Sequence, residues 1–494
     1  MSGEAMKRLA LVLGFALASA APLWAQAAKE SEEDYYPLIK IPLPPGVVLE
    51  AGGIELMPDG KVAVSTRRGE IWMIDKAFEN PPVNAKFTLF ASGLHEVLGI
   101  AQRDGWLYAQ QRCELTKMKD TDGDGRADVF KTVCDLWSIS GDYHEYAFSS
   151  KFDKEGNIWV VLCLTGSFTS DVPFRGWCVR ITPEGKMIPT CSGIRSPGGI
   201  GMNADGDVFY CDNQGVWNGA SALKHLVPGS FQGHPDTYKW YSLAPNMGPK
   251  PEVPKSGSRF HVEAARIPEY VPPPVLLPHG IVGNSASGIA CDTTEGKFGP
   301  FRKQLFVSDQ SFSVVNRCFL EKINGRFQGA CFSFRSGFGS GNVPELMTQD
   351  GSLWVGGTNR GWGSRGPAPG ALDRVIWSGK VPFEVLEMRA KPDGFELVFT
   401  KPADKAAASN PASYAIRTFT YIFQAAYGSP EVDATIPKIT AIQVSDDGLK
   451  ARLTLDEMKI GNIHELKMPG LRSAEGKPLL HSTGWYTLWS LPKE

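Results

Sequence analysis

Polar residues able to do acid–base chemistry stand where short apolar runs begin or end. His95, His144, Arg195 and Asn284 precede such runs, and Arg112, Asp212, Asn213 and Asp309 follow them. An imidazole titrates near neutrality and can take the proton of a hydroxyl group. Arginines hold carboxylates or a delocalised oxyanion through paired N–H donors. His144 lies in Gly141-Asp142-Tyr143-His144-Glu145, beside carboxylates able to orient its ring, and is a stronger base candidate than His95. The set suits a general base among anion-binding groups in one polar funnel. A hydrated channel with no chemistry would use the same residue types.

A second cluster is more specific. Asp120, Asp122, Asp124 and Asp128 occupy positions 1, 3, 5 and 9 of a calcium loop, with Gly125 at position 6 and Arg126 at 7. Position 12 is Lys131 instead of the usual bidentate glutamate, so the loop is an incomplete EF-hand. Four carboxylates packed this closely repel one another unless neutralised, and a structural calcium ion is expected. The sequence has no C-x-x-C-H haem site, phosphate-binding P-loop or G-x-S-x-G elbow.

The elements that would position these residues repeat. Six copies of an apolar run, an Asp-Gly or Glu-Gly turn and a second apolar run occur at Gly53–Ser65, Gly99–Gln111, Glu145–Leu164, Gly199–Asp212, Gly288–Asp309 and Pro344–Gly357. Most turn glycines are roughly 45–55 residues apart, the size of a four-stranded propeller blade. The fold class is therefore all-β: a six-bladed β-propeller over residues 46–379, with its functional residues ringed around one end of its axis. Residues 216–278 hold eleven prolines and read as an insertion without regular sheet. Its His234 and His261, and the adjacent His279, would matter only if it folds over the funnel. Residues 381–494 read as an immunoglobulin- or fibronectin-like sandwich of about seven strands.

Lys7, Arg8, the apolar stretch Leu9–Leu23 and Ala25-Gln26-Ala27 make residues 1–27 a signal peptide, with no later stretch apolar enough to span a membrane. The protein is expected to be periplasmic or extracellular. A net charge of −2 points away from nucleic acid. In the oxidising setting three cross-strand disulfides are expected. Cys178 and Cys191 are symmetric about Glu184-Gly185, Cys318 and Cys331 about Asn324-Gly325, and Cys113 and Cys134 about Gly123-Asp124. Opposed non-hydrogen-bonded positions bring Cα atoms to about 4.5 Å, within disulfide range.

Tyr146-Ala-Phe, Asp153-Lys-Glu-Gly-Asn-Ile-Trp, Gly193-Ile-Arg195-Ser196-Pro197-Gly-Gly-Ile-Gly and Asp205-Gly-Asp-Val-Phe-Tyr-Cys-Asp212-Asn together resemble the glucose/sorbosone dehydrogenase family. The Asp-Thr-Asp-Gly-Asp-Gly-Arg-Ala-Asp loop is similar to that of an exported, multi-domain group within it. The resemblance implies a propeller that binds pyrroloquinoline quinone (PQQ) with calcium and passes a hydride from a sugar hydroxyl to the quinone. It implies His144 as general base and Arg195 on the quinone oxygens. Ser196 replaces the family's asparagine beside it, and Arg335 and Arg360 stand in for its further cofactor-binding cations. A sugar or polyol substrate and a separate electron acceptor follow. The residues alone also allow a calcium-dependent hydrolase or lactonase, with Asp212, Asn213, Asn284 and Asp309 about an axial metal. A non-catalytic carbohydrate- or protein-binding propeller remains open too.

Overall fold

The computed structural model describes residues 30–359 and 361–493; the signal-peptide reading lies outside them. The described chain is all-β and propeller-like. Six sheets carry the six repeats, each beginning with one of the strands Ala51–Leu56, Ile100–Arg103, Ala147–Phe152, Pro197–Met202, Ala286–Cys291 and Asn342–Thr348. These six strands touch one another in cyclic order, the last returning to the first. Glycine is what lets them meet: a Cβ on Gly199 would lie 2.6 Å from the Ser287 carbonyl oxygen, and one on Gly288 2.2 Å from that of Val343.

The lead-in before residue 46 takes part in the ring. Leu38–Lys40 pairs antiparallel with Gly370–Ile376 as the outer strand of the sixth sheet, Leu38 opposite Val375. The first blade is thereby joined to the last without a covalent link.

The 216–278 segment departs from its expected lack of sheet. Ser221–His225 and Val275–Leu277 are the two outer strands of the fourth blade, paired with Leu223 opposite Val275. The prolines fall between and beside these strands, where the chain forms the 3₁₀ helix Pro235–Leu243 and the helix Phe260–Arg266. This excursion packs outward. Ser258–Arg259 pairs with the tail strand Ala415–Phe423, and Trp489 Nε1 donates to the Pro273 carbonyl at 2.6 Å.

The tail folds into two sheets. One joins Val385–Lys391, Gly394–Phe399, Lys450–Leu455 and Ile439–Val444. The other, containing Ala415–Phe423, Ile463–Lys467 and Thr483–Thr487, is continuous with the fifth blade, because Thr483–Thr487 pairs with Arg326–Arg335. Phe395, Leu397 and Leu453 from the first sheet share a fully buried core with Leu466 and Tyr486 from the second and Phe332 from the blade. Among the described residues no helix is long and apolar enough to cross a membrane.

All nine cysteines are free thiols, which corrects the three expected disulfides. Cys113 is not opposite Cys134: the ladder is centred later than Gly123-Asp124, with Lys119 opposite Val129, and an irregularity between Leu115 and Thr116 shifts it once more, so that Cys134 faces Leu115. Cys178 does face Cys191, and Cys318 faces Cys331. Both pairs are buried, and burial pushes the Cys318 thiol up to about 12 and the Cys331 and Cys178 thiols well above the ordinary value. The Cys191 thiol also donates to the Val227 carbonyl at 3.2 Å.

Candidate functional site

His144 sits at the end of a loop that enters the third inner strand, and three arginines hold that loop by its backbone and rings. Arg112 donates to the carbonyls of Asp142, at 2.8 Å, and Tyr143. Arg175 donates to those of Glu145 and Tyr146, both at 3.0 Å. Arg67 donates to the hydroxyls of Tyr143 and Tyr146, both at 3.2 Å. Glu96 joins two of the three: its Oε1 accepts from Arg67 Nε at 2.8 Å and its Oε2 from Arg112 Nε at 2.5 Å. The Glu96, Arg67 and Arg112 side chains are nearly buried, at 7 to 10% exposure.

Asp142 fixes the histidine's backbone. Its Oδ1 accepts from the backbone N–H of His144 and of Gly166, both at 2.8 Å, and lies 3.7 Å from the ring Nδ1. Glu145 plays no part in this, since its buried carboxylate accepts from Ser140 and Thr165. Partial burial moves the His144 pKa below the ordinary imidazole value; Asp142 opposes the shift, while Arg195 and Arg112 add to it. The ring is therefore neutral at neutral pH, the state a base requires.

A cavity of about 480 Å³ opens beside this ring, within the size range of small-molecule sites. Of the residues singled out from the sequence, His144, Arg195, Ser196, Asn213 and Asn284 line it, with His279, Gln214 and Gln310. Arg195 crosses its floor, donating through Nε to the Ser167 carbonyl at 3.1 Å and through Nη1 to the Gln214 carbonyl at 2.7 Å.

Asp212 and Asp309 act as struts below the lining. Asp212 accepts from the Ser196 N–H at 2.8 Å and from Lys224 Nζ at 3.0 Å. Burial works to raise its pKa, and Lys224 brings it below the usual carboxylate value. Asp309 accepts from the N–H groups of Asn284, Ser285 and Phe312 at 2.7–2.8 Å, and burial leaves it raised. Of the four residues considered for an axial metal, Asn213 and Asn284 line the cavity, whereas Asp212 and Asp309 do not.

Other sequence candidates stand apart from the cavity. His95 and Arg112 line a shallow rim depression with Arg68, across the wall made by Arg67 and Glu96. Arg335 ends the outermost strand of the fifth blade, a sheet's width from the axis. There its guanidinium is engaged with Glu32, Glu33 and the Tyr36 carbonyl, which excludes the expected cofactor contact. Arg360 lies outside the described residues. His234 and His261 belong to the outward-packed excursion and do not line the cavity.

The acidic loop tips the hairpin of Leu115–Lys119 and Val129–Cys134. Carboxylate oxygens of Asp120, Asp122 and Asp124 all lie within 4.8 Å of one another. Asp128 is not among them: it accepts from the Thr121 N–H at 3.0 Å and hydroxyl at 2.6 Å. The Arg126 N–H donates to Asp124 Oδ1 at 2.8 Å. The expected set of four carboxylates is thus three.

Sequence reasoning missed three aromatics of the cavity wall, Phe168, Trp362 and Tyr427. Trp362 had a signal, a bulky ring between two glycines in a loop. Tyr427 had none, because its position depends on how the tail docks.

Comparison with known proteins places this arrangement. A family model described as a domain of unknown function, DUF7133, matches residues 82–328, half of the chain. The chain belongs to that family. The matched residues hold the second to fourth blades and most of the fifth, and with them His144 and Arg195. No curated protein matches the sequence. A solved structure from Thermus thermophilus, described as a candidate oxidoreductase (glucose dehydrogenase), is 18% identical, with a TM-score of 0.51 over 69% of this chain and 100% of that one. The two share a fold. The PQQ-bound aldose sugar dehydrogenase of Streptomyces coelicolor is 15% identical, with a TM-score of 0.49 over 69% of this chain and 98% of that one.

Proposed function

We propose that the protein is an exported sugar or polyol dehydrogenase whose cofactor is a PQQ-type quinone, with a separate electron acceptor. In this reading residues 46–379 form a six-bladed β-propeller, and residues 381–494 an immunoglobulin- or fibronectin-like sandwich that braces it. The observation that carries the proposal is an imidazole with a carboxylate 3.7 Å from its Nδ1, in a ligand-sized cavity that an arginine also lines.

The cavity's donor set suits a flat, anionic, carboxylate-bearing ring system. Arg195 and Arg67 supply positive charge, and Ser196, Ser285 and Ser287 supply hydroxyls. Asn213 and Gln214 line the same cavity. When bound, such a quinone would supply the acceptor for the hydride leaving the alcohol carbon. His144 takes the hydroxyl proton on its ring nitrogen, and Asp142 stabilises the imidazolium that results. Asp212, through the Ser196 N–H and Lys224, holds the floor of the cavity in place.

The pH dependence follows from the sign of the histidine shift. A base must be deprotonated, so activity should persist below the ordinary imidazole value and fall only as pH drops through the depressed His144 pKa. Asp142→Asn removes the influence that opposes the depression, and the acid limb of kcat/KM should move to still lower pH. A limb at or above pH 6.5 in both proteins would exclude His144 as the base.

For the acidic loop the proposal is a structural calcium ion held by Asp120, Asp122 and Asp124, remote from the chemistry. Added calcium should raise the melting temperature of the wild type by a few degrees, as a ligand in excess of its Kd does. The D120N/D122N double variant should show no such rise. An equal rise in both proteins would remove the assignment.

A further inference from the structure

Three large aromatic side chains at the mouth of this cavity are left largely open to solvent: Phe168 at 50%, Trp362 at 56% and Tyr427 at 60% exposure. Two of them come from the propeller-like body. Tyr427 comes from the tail, in the loop between Ala415–Phe423 and Glu431–Thr435. That loop is fastened to the site. Tyr427 bridges Val216, the Trp217 N–H donates to the Gln424 carbonyl at 2.8 Å, and the Gly428 N–H donates to the Gly215 carbonyl at 3.0 Å. Gly428 has φ +63°, and a Cβ there would lie 2.9 Å from the Gln214 side chain, so the loop is closely fitted to its seat.

The rings form two walls. On one side Trp362 lies 5.7 Å from the His144 ring. On the other, Tyr427 and Phe168 have centroids 6.2 Å apart, with the Arg195 guanidinium 5.1 Å from the Tyr427 centroid. Tyr427 and Phe168 thus lie outside the acid–base centre yet share its cavity. Exposed aromatic planes beside hydrogen-bonding groups suit a sugar ring, whose C–H face packs on the aromatic plane while its hydroxyls reach polar partners.

We propose that Tyr427, with Phe168, forms an outer subsite for a second sugar ring, making the tail part of the site and selecting oligosaccharide ends over free monosaccharides. The inference rests on the carbohydrate reading of the cavity. It assigns Tyr427 to specificity and not to the chemical step.

Wild type, Tyr427→Ala and Tyr427→Phe would be compared on glucose, cellobiose, maltose and the two corresponding tetrasaccharides. Calorimetric binding without cofactor and dye reduction with PQQ and calcium would both be measured. Tyr427→Ala should weaken binding of the preferred oligosaccharide, and raise its KM, about three- to tenfold. The loss for glucose should be smaller than that for the oligosaccharide. Tyr427→Phe, which keeps the ring, should behave as wild type. Oligosaccharide binding that is lost in Tyr427→Ala without dye reduction in any protein would uphold the subsite and remove the redox reading. Equal binding of glucose and every oligosaccharide, an equal loss for both, or no binding of any of these sugars would overturn the subsite.

Discussion

His144→Gln should lower PQQ-dependent dye reduction by about 10²- to 10⁴-fold, the usual range for loss of a positioned general base. The melting temperature should stay close to that of the wild type. The His144 side chain is 28% exposed, and the hydrogen bond that fixes its residue to Asp142 comes from the backbone N–H, which glutamine retains. Cofactor uptake should also be kept, because the charges proposed to hold the cofactor are on Arg195 and Arg67. Steady-state rates and cofactor titration on the same preparation check this. Unchanged activity would move the base elsewhere in the cavity, with His279 the next imidazole on its wall.

Glu96→Gln should have the largest effect on stability. Glu96 is the shared partner of two nearly buried guanidinium groups. Neutralising it removes the carboxylate charge that both share, and breaking a buried pair by removing one member costs about 3–5 kcal/mol. The loss should reach the site. Arg67 grips the hydroxyls of Tyr143 and Tyr146, and Arg112 grips the Asp142 and Tyr143 carbonyls of the loop that carries His144. Chemical denaturation should therefore show a large drop in stability, and the remaining folded enzyme a reduced kcat. Arg68→Gln is the control: Arg68 is exposed, and a change there should cost under about 0.5 kcal/mol. Equal effects for the two variants would mean that the buried triad does not hold the loop.

The blades were legible because their turns are local. Glycines such as Gly60, Gly206 and Gly351 adopt φ of +85°, +91° and +92° in the Asp-Gly turns that joined each pair of apolar runs. Ladder symmetry about a turn was a weaker guide. It paired Cys318 with Cys331 over a regular hairpin, but a displaced turn centre and one register shift together placed Cys134 opposite Leu115 and left Cys113 outside the ladder. Long-range pairing was not legible at all. Nothing near Phe332 announces that Gly484 will stand opposite it, or that Leu38–Lys40 will complete the sixth sheet. The site shows the same division. His144, Arg195, Ser196 and Asn213 were readable because the ends of the first two strands of each blade share one face of the ring. Arg335 misled because the sequence shows that a strand ends there but not that the strand is outermost. Tyr427 was hidden because its place depends on the docking of a sheet that begins some two hundred residues after Val216, its partner in the bridge.

The most direct test of a quinone-dependent dehydrogenase with His144 as its base is a titration of the mature protein with PQQ in calcium-containing buffer. The cofactor's absorbance and dye reduction over a panel of sugars would be followed, with wild type and His144→Gln side by side. Saturable binding should occur in both proteins, and sugar-dependent dye reduction in the wild type alone. Absence of binding, or equal dye reduction by both, would contradict that assignment.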